Sequence, residues 1–365
     1  MTVGILGGGQ LGRMLALAGL PLGQRFRVLD LSADAVAGHV STLQIGSHDD
    51  EAALRELAAA CDVITYEHEN VPVSSAAFLS TRTAVYPPPR ALEVSQDRLI
   101  EKQFFAALGI PTVRSRPVAT FPELAAAVAD LGLPAVVKRR RFGYDGKGQH
   151  VVRAAADVEN AWESLRGADL IVEAWAPFER ELSILAVRGR HGELAFYPLV
   201  ENEHRRGILQ MSRPTAVGER PLLQAQAERY ARSVLEELAY VGVLTIEFFC
   251  VDGALVANEM APRVHNSGHW TLEGAETSQF ENHVRAMLGM PLGSTRMVGF
   301  SAMINCIGKL PRREDVLAIE GAHLHAYGKD GAPGRKVGHV TVRAQSREEL
   351  AEKLVRLVPI VDAHP

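Results

Sequence analysis

Three stretches of this 365-residue chain carry residue types whose spacing could do chemistry. The first is Gly7-Gly8-Gly9-Gln10-Leu11-Gly12, a G-x-G-x-x-G run between an apolar strand and a helix. Glycines there expose backbone N–H groups at a helix N-terminus, which favours an anion. Asp30 follows Gly12 by eighteen residues, where a dinucleotide enzyme would hold a ribose. The same turn can also pack tightly and bind any phosphate, so a nicotinamide or flavin dehydrogenase stays open. The second stretch is Lys138-Arg139-Arg140-Arg141-Phe142-Gly143-Tyr144-Asp145-Gly146-Lys147-Gly148-Gln149. A lysine at a strand end, then glycines and more cations, supplies the donors and point charges that polyphosphate needs. A solvated basic hairpin is the alternative.

The third stretch flanks Asp252-Gly253. Glu247 lies in the apolar run Leu244–Phe249, and Glu259 in Ala257–Met260; each is six residues from Gly253. A hairpin centred on Gly253 sets the two carboxylates opposite each other on one face. A shift of one residue would put them on opposite faces. Paired carboxylates repel unless a cation lies between them, and hard oxygen ligands beside a triphosphate indicate Mg²⁺. Two solvent-facing glutamates on an edge hairpin would be the structural alternative. Next comes Pro262-Arg263-Val264-His265-Asn266-Ser267-Gly268-His269-Trp270. Arg263 is suited to a planar oxyanion, and His265 and Asn266 add donors.

The elements that must position these residues begin with strands at Val3–Leu6, Phe26–Leu31 and Asp62–Tyr66, separated by helical patterns such as Glu51–Ala60. Strands joined by single helices imply a parallel α/β sheet. Pro87-Pro88-Pro89 mark a boundary. A helix is expected at Asp97–Leu108, followed by a small α+β unit. Its expected helices are Pro122–Leu131 and Asp157–Leu165, and its strands Ala135–Arg139, His150–Val152 and Leu170–Glu173. Longer β segments follow at Glu181–Val187 and Glu193–Glu201, then a helix over Leu222–Leu238 and the hairpin of Val243–Val251 with Ala254–Met260. Strands near Ser301–Ile307 and Gly338–Arg343 and a helix at Glu348–Leu357 complete the pattern.

With 47% hydrophobic and 22% charged residues, the chain has the composition of a folded globular protein rather than a disordered one. A net charge of −4 gives no footprint for general nucleic-acid binding. No apolar run approaches the roughly 18 residues of a membrane span, and no signal peptide is expected. Cys61, Cys250 and Cys306 are far apart and suggest neither a metal site nor a disulfide framework, which fits the cytoplasm.

Lys138, Gly143–Gln149, Glu247, Asn258-Glu259 and Pro262–Trp270 together resemble the ATP-grasp enzymes. Within them, Gly9–Met14 and Pro333–His339 are similar to the N5-carboxyaminoimidazole ribonucleotide synthetase family of purine synthesis. The likeness spans nearly the whole chain. It implies an α/β and α+β architecture in three parts: a Rossmann-like preATP-grasp domain (1–95), a helix linker with the small ATP-grasp lid (96–180), and the large ATP-grasp subdomain with a C-terminal extension (181–365). It implies a homodimer, while the charge and the short apolar runs above lead to the expectation of neither nucleic acid nor membrane as a partner.

By the same resemblance, Arg98 and Lys138 contact ATP phosphates, and Gly143, Tyr144, Asp145, Gly146, Lys147, Gly148 and Gln149 close over them. Glu173, Ala174, Trp175 and Ala176 form the adenine hinge. Glu181 holds the ribose, and His204 and Asn258 complete the nucleotide pocket. Glu247 and Glu259 take Mg²⁺, with Mn²⁺ as a substitute. Arg263, His265 and Asn266 hold bicarbonate or the carbonyl phosphate. Lys329, Arg335 and Lys336 meet the ribonucleotide phosphate or the reacting oxyanion. Gln10, Leu11, Glu67 and Glu69 edge the substrate, and the sequence leaves open which glutamate faces inward. Tyr144, Asp145, Arg263 and Lys336 are the catalytic candidates.

The implied reaction spends ATP to activate bicarbonate as carboxyphosphate and carboxylates the exocyclic amine of 5-aminoimidazole ribonucleotide. Asp145 would manage the amine proton. Asp30 would then have no role toward a nucleotide ribose. Three alternatives remain at this stage: another ATP-grasp carboxylase or ligase, a dehydrogenase using Gly7–Gly12, and a non-catalytic nucleotide-binding regulator. The dehydrogenase leaves the paired glutamates and the second glycine loop unexplained. The expectation is therefore that NADH does not bind: titration should show no saturable enhancement of nicotinamide fluorescence at micromolar concentrations, and tight binding would overturn the reading of the first loop.

Overall fold

The computed structural model describes residues 1–143, 146–165, 169–216 and 218–362. The first ninety residues build a five-stranded parallel sheet from β1 (Thr2–Leu6), β2 (Arg25–Asp30), β3 (Thr42–Ile45), β4 (Val63–Tyr66) and β5 (Ala84–Val85), in the order β3-β2-β1-β4-β5. Val3, Ile5, Leu6, Val63 and Ile64 are fully buried, as a sheet covered on both faces requires. The strand order reverses between β1 and β4, which opens a crevice at their carboxyl ends. Gly7–Gly9 and Glu67 lie there, directly after those strands. The short β3 and β5 lack the apolar runs that revealed the other strands. The proline cluster does not simply break the chain, because Pro89 begins a helix, Pro89–Ser95, at the position where its missing N–H costs nothing.

The small antiparallel sheet contains β6 (Ser115–Val118), β7 (Ala135–Arg139), β8 (Gln149–Val152) and β9 (Leu170–Ala174), in the order β6-β9-β7-β8. The helices Phe121–Leu131 and Asp157–Leu165 cover it and share a core of its own, including Leu124, Val128, Val137, Ala161 and Val172. Thr120 accepts a hydrogen bond from Glu123 N and so caps the first of these helices.

The remaining nine strands are β10 (Arg180–Arg188), β11 (Leu194–Phe196), β12 (Val200–Arg205), β13 (Ile208–Pro214), β14 (Gly242–Val251), β15 (Ala254–Ala261), β16 (Phe300–Ile307), β17 (Ala322–Ala326) and β18 (Lys336–Ala344). They form one sheet, ordered β15-β14-β10-β12-β13-β16-β18-β17, with β11 paired beside β10. The single strand expected over 193–201 is two. The chain leaves β11 to bury Tyr197, whose hydroxyl donates to Thr277 O at 2.8 Å, and re-enters the sheet as β12.

The helix Gln279–Leu288 lies between the first and the large sheets. Phe280, Val284 and Met287 join Trp270, Leu185, Val3, Leu15 and Phe26 in one core, so these two parts are packed as a unit. His283 ties them together at its centre. Its Nδ1 accepts from Val243 N on β14 at 3.0 Å, which leaves the proton on Nε2 to bond Thr65 Oγ1 on β4 at 3.0 Å. Burial holds this imidazole down at about 3. The unfolded chain takes up the proton below about 6.5, whereas the folded chain resists it until about 3. Stability from this group is therefore complete above pH 6.5 and falls as the pH drops through that window, by up to about 1.4 kcal/mol per pH unit. Buried His269 and His339 are shifted the same way. Urea unfolding should show a lower midpoint at pH 5 than at pH 7.5, and His283→Gln should narrow that gap; an unchanged gap would refute the assignment.

Candidate active site

The hairpin of β14 and β15 turns through Asp252 and Gly253, both with positive φ, as a two-residue turn with the twist of the flanking strands demands. That turn is centred half a residue earlier than the sequence reading assumed. Cys250 pairs Leu255, Phe249 pairs Val256 and Phe248 pairs Ala257. Continued without interruption, this register would set Glu247 against Asn258 and send Glu259 to the other face. A bulge intervenes: Asn258 is the extra residue, and Glu247 pairs Glu259. The two carboxylates do face each other, for a reason the spacing did not contain. Asn258 Oδ1 is buried with no hydrogen-bond partner among the described residues.

Each carboxylate has a cationic or donor partner. Arg98 Nη1 lies 2.6 Å from Glu259 Oε2. His265 Nε2 lies 3.1 Å from Glu247 Oε1. The imidazole is oriented by what its other nitrogen does. Ser267 N donates to Nδ1 at 3.3 Å, and Ser267 Oγ lies 2.9 Å away, so the proton is on Nε2 and points at Glu247. A buried chain of hydrogen bonds continues from Ser267 to Ser183, Asn202 and Ser212 at 2.8–2.9 Å. Burial raises the Glu247 carboxyl, but His265, His204 and Lys336 outweigh it and hold the group down at about 2. Sequence reading missed this serine–asparagine chain, whose only signal is polar residues at inward positions of apolar strands.

On the phosphate side, Lys138 is buried at the end of β7, and its Nζ lies 2.7 Å from Glu173 Oε2. Lys102 Nζ lies 3.1 Å from Glu173 Oε1, with its side chain 5% exposed. Burial would raise the Glu173 carboxyl, yet the two ammoniums hold it at about 2. The carboxylate expected to begin the adenine hinge thus serves the lysines. Lys102 was not foreseen. It follows Arg98 by one helical turn in the helix Arg98–Ala107, so both side chains share a face. Glu101 lies between them. Its Oε1 accepts from Met260 N at 2.7 Å, and burial together with Glu259 pushes its carboxyl up to about 8.

Beyond Glu173, Ala174 and Ala176 are partly exposed and Trp175 is exposed. Glu181 Oε2 and His204 Nδ1 are 2.7 Å apart, and they line a cleft of about 320 Å³ with Phe178, Asn202 and Glu203. Burial lowers the His204 pKa, but Glu181 raises it further, so the net shift is upward. The glycine loop reaches toward the β12–β13 turn: a Cβ on Gly146 would come within 3.0 Å of the Gly207 backbone, at a φ of 73°. Gly143 lies beside Arg98, Gly148 packs against Arg139, and Gln149 opens β8. Lys147 is exposed. Tyr144 and Asp145 fall outside the described residues.

On the substrate side, Glu67 turns to the first glycine loop. Its carboxylate accepts from Gly9 N at 2.5 Å and from Gly12 N at 2.7 Å. A Cβ at Gly9 would lie 2.6 Å from Glu67 Oε1, so a side chain there would have to displace this carboxylate. Asp30 accepts from Gly8 N at 2.6 Å. It anchors the loop through this bond. Glu69 instead pairs with Arg263, Oε2 to Nε at 2.6 Å, and this cation holds it at about 2 against the opposing effect of burial. Lys329 Nζ donates to Gln10 Oε1 near Glu67, and Arg335 is close by. Lys336 lies apart from them, near Glu247, His204 and His269. The Leu11 side chain packs into the core. Asn266 exchanges two hydrogen bonds with Asn305, at 2.7 and 3.0 Å, so its amide is committed.

Family models match the chain in three consecutive segments: a ribonucleotide synthetase preATP-grasp domain over 1–96, an ATP-grasp domain over 103–280, and a phosphoribosylaminoimidazole carboxylase C-terminal domain over 301–353. The N5-carboxyaminoimidazole ribonucleotide synthase of Pseudomonas aeruginosa is 51% identical over 363 residues, covering 100% of each chain. The chain belongs to the N5-carboxyaminoimidazole ribonucleotide synthase family. The synthetase of Thermus thermophilus has the same fold, with a TM-score of 0.94, 55% identity and 98% of each chain covered. The Aspergillus clavatus synthase, solved with ADP and 5-aminoimidazole ribonucleotide, superposes with a TM-score of 0.92 at 32% identity, over 99% of this chain and 98% of that one. As a member of this ATP-grasp synthase family, the chain is an ATP-using ligase.

The residues at the carboxylate pair are of the types that would suit a Mg²⁺ ion. Glu247 and Glu259 supply hard oxygens from neighbouring strands, and the unpartnered Asn258 Oδ1 lies between them in sequence. Among the described residues no cluster of three or more histidine, cysteine or carboxylate groups could hold a metal alone. An ion at the pair would complete its shell with water or phosphate oxygens. Glu259→Gln should abolish turnover while the protein stays folded, with circular dichroism and melting temperature as the check. Near-normal activity at low Mg²⁺ would refute the ligand role.

Proposed function

We propose that this chain uses ATP and bicarbonate to carboxylate the exocyclic amine of 5-aminoimidazole ribonucleotide, giving N5-carboxyaminoimidazole ribonucleotide, ADP and phosphate. The position of Arg263 carries the reading. Its guanidinium pairs with Glu69 and feels the charges of both Glu259 and Glu67. It therefore stands between the paired carboxylates and the crevice of the first sheet, where an oxyanion made on one side would be used on the other.

Arg98 and Lys138 line the phosphate path, and Mg²⁺ at Glu247 and Glu259 would offset charge on the terminal phosphates. Mn²⁺ offers the same octahedral oxygen chemistry. A bicarbonate oxygen attacks the γ-phosphorus and ADP departs. Carboxyphosphate then breaks its bridging C–O bond to give CO₂ and phosphate. Arg263, with His265 and Lys336 near the metal-side carboxylate, stabilises these oxyanions. The amine nitrogen attacks CO₂, the N–C bond forms, and Asp145 receives the amine proton. The glycine loop over Gly143–Gln149 excludes water from an intermediate that hydrolysis would waste. Lys329, Arg335 and Gln10 by the first helix are suited to the ribonucleotide phosphate. The backbone of Glu173–Ala176 is suited to adenine, and Glu181 with His204 to ribose.

The separation of the strands into three sheets supports a division near 95 and 180. The second part contains the small sheet with its own core, which suits a lid. We place the enzyme in the cytoplasm as a homodimer. None of the described helices is long and apolar enough to cross a membrane.

The test separates activation from transfer. Asp145→Asn should retain bicarbonate-dependent ADP formation but lose carboxylated product by about 10²-fold or more. Lys138→Ala should lose both together. Product in full proportion to ADP from Asp145→Asn, at the wild-type rate, would remove Asp145 from the mechanism.

A further inference from the structure

Three consecutive side chains, Gln96, Asp97 and Arg98, reach into three different parts of the molecule. Arg98 goes to Glu259 on β15. Buried Asp97 takes both ends of the Arg140 guanidinium, Oδ1 to Nε at 3.0 Å and Oδ2 to Nη2 at 2.7 Å, while Arg98 N donates to Arg140 O at 3.0 Å. Gln96 points the other way. Its Nε2 donates to Glu69 O at 2.8 Å and Val71 O at 2.6 Å, and its Oε1 accepts from Arg141 Nη2 at 2.8 Å.

Arg140 and Arg141 lie just ahead of Gly143, where β7 opens into the phosphate loop. Glu69 is the carboxylate that holds Arg263. One amide therefore spans the base of the phosphate loop and the backbone that carries the Arg263 anchor. A glutamine suits this task because its two ends have opposite polarity: the NH₂ satisfies two carbonyls while the C=O takes a cation. No other residue type with that reach offers both.

We propose that Gln96 is a positioning residue that couples use of ATP to carboxylation of the ribonucleotide. Its amide bonds the Glu69 and Val71 carbonyls and the Arg141 guanidinium. It fixes the distance between the loop that handles phosphate and the arginine that hands on the carboxyl oxyanion, and a 1 Å error in such a geometry can cost about 10²-fold. This inference rests on the function proposed above.

The test compares ADP with carboxylated product, with and without 5-aminoimidazole ribonucleotide. Wild type should make the two in nearly equal amounts when substrate is present. Gln96→Ala should keep ADP formation within a few-fold while product falls, raising the ADP-to-product ratio at least threefold. Gln96→Glu keeps the acceptor for Arg141 but loses both donors to the Glu69 and Val71 carbonyls, and should raise the ratio as well. Arg141→Gln removes the opposite end at an exposed position, and should do the same. The double variant Gln96→Ala/Arg141→Gln should be no worse than the poorer single one, as residues in one chain of contacts are non-additive. A ratio that stays near one in all variants, whatever their stability or KM, overturns the coupling role. Absence of bicarbonate-dependent ADP in wild type would instead overturn the function itself.

Discussion

The chemistry proposed here depends on one extra residue in one strand. Asn258 interrupts the pairing of β15 with β14, and without it Glu259 would point away from Glu247. Two glutamates on one face would repel, and the strand tolerates them because each has a partner: Arg98 on one side, His265 on the other. Those partners need fixing in turn. Arg98 is placed by a helix whose N-terminus Asp97 caps. His265 is placed by Ser267 and the buried hydroxyl–amide chain behind it. A bulge at a site is a common way to re-aim a side chain, and here its support spreads over three further strands.

At the end of β7, charge is buried unevenly: two ammonium groups, Lys102 and Lys138, meet the one carboxylate of Glu173. Desolvating a cation in this way is costly unless an anion arrives. This imbalance is a standing attraction for phosphate, and it is the physical counterpart of the glycine loop that follows Lys138. The first glycine loop behaves in the opposite manner. Glu67 and Asp30 occupy its N–H groups, so the helix end that resembles a dinucleotide site is filled by the chain's own carboxylates.

Much of this was legible in the sequence. The parallel sheet, the small α+β unit and the Asp252-Gly253 hairpin follow from apolar runs and turn residues that act locally. The bulge at Asn258 was not, because a two-residue turn and a displaced register leave the same spacing around Gly253. Lys102 has no motif around it, and its role depends on Glu173 of the small sheet, 71 residues further along the chain. Gln96 carries no sequence signal at all, since its meaning lies in carbonyls 25 and 27 residues away and a guanidinium 45 residues on. The choice between Glu67 and Glu69 needed the fold, which uses both.

β15 is the edge strand of the large sheet, and such an edge invites pairing with another chain. The fold covers it with earlier segments: Glu101 accepts from Met260 N, and Pro111 O from Ala257 N. Polypeptides leave the ribosome from the N-terminus. The helix that guards this edge is therefore made some 150 residues before the edge itself (Glu101 and Met260 are 159 apart). A nascent chain can then seal the strand as it emerges, before a neighbouring molecule has the chance to add to it.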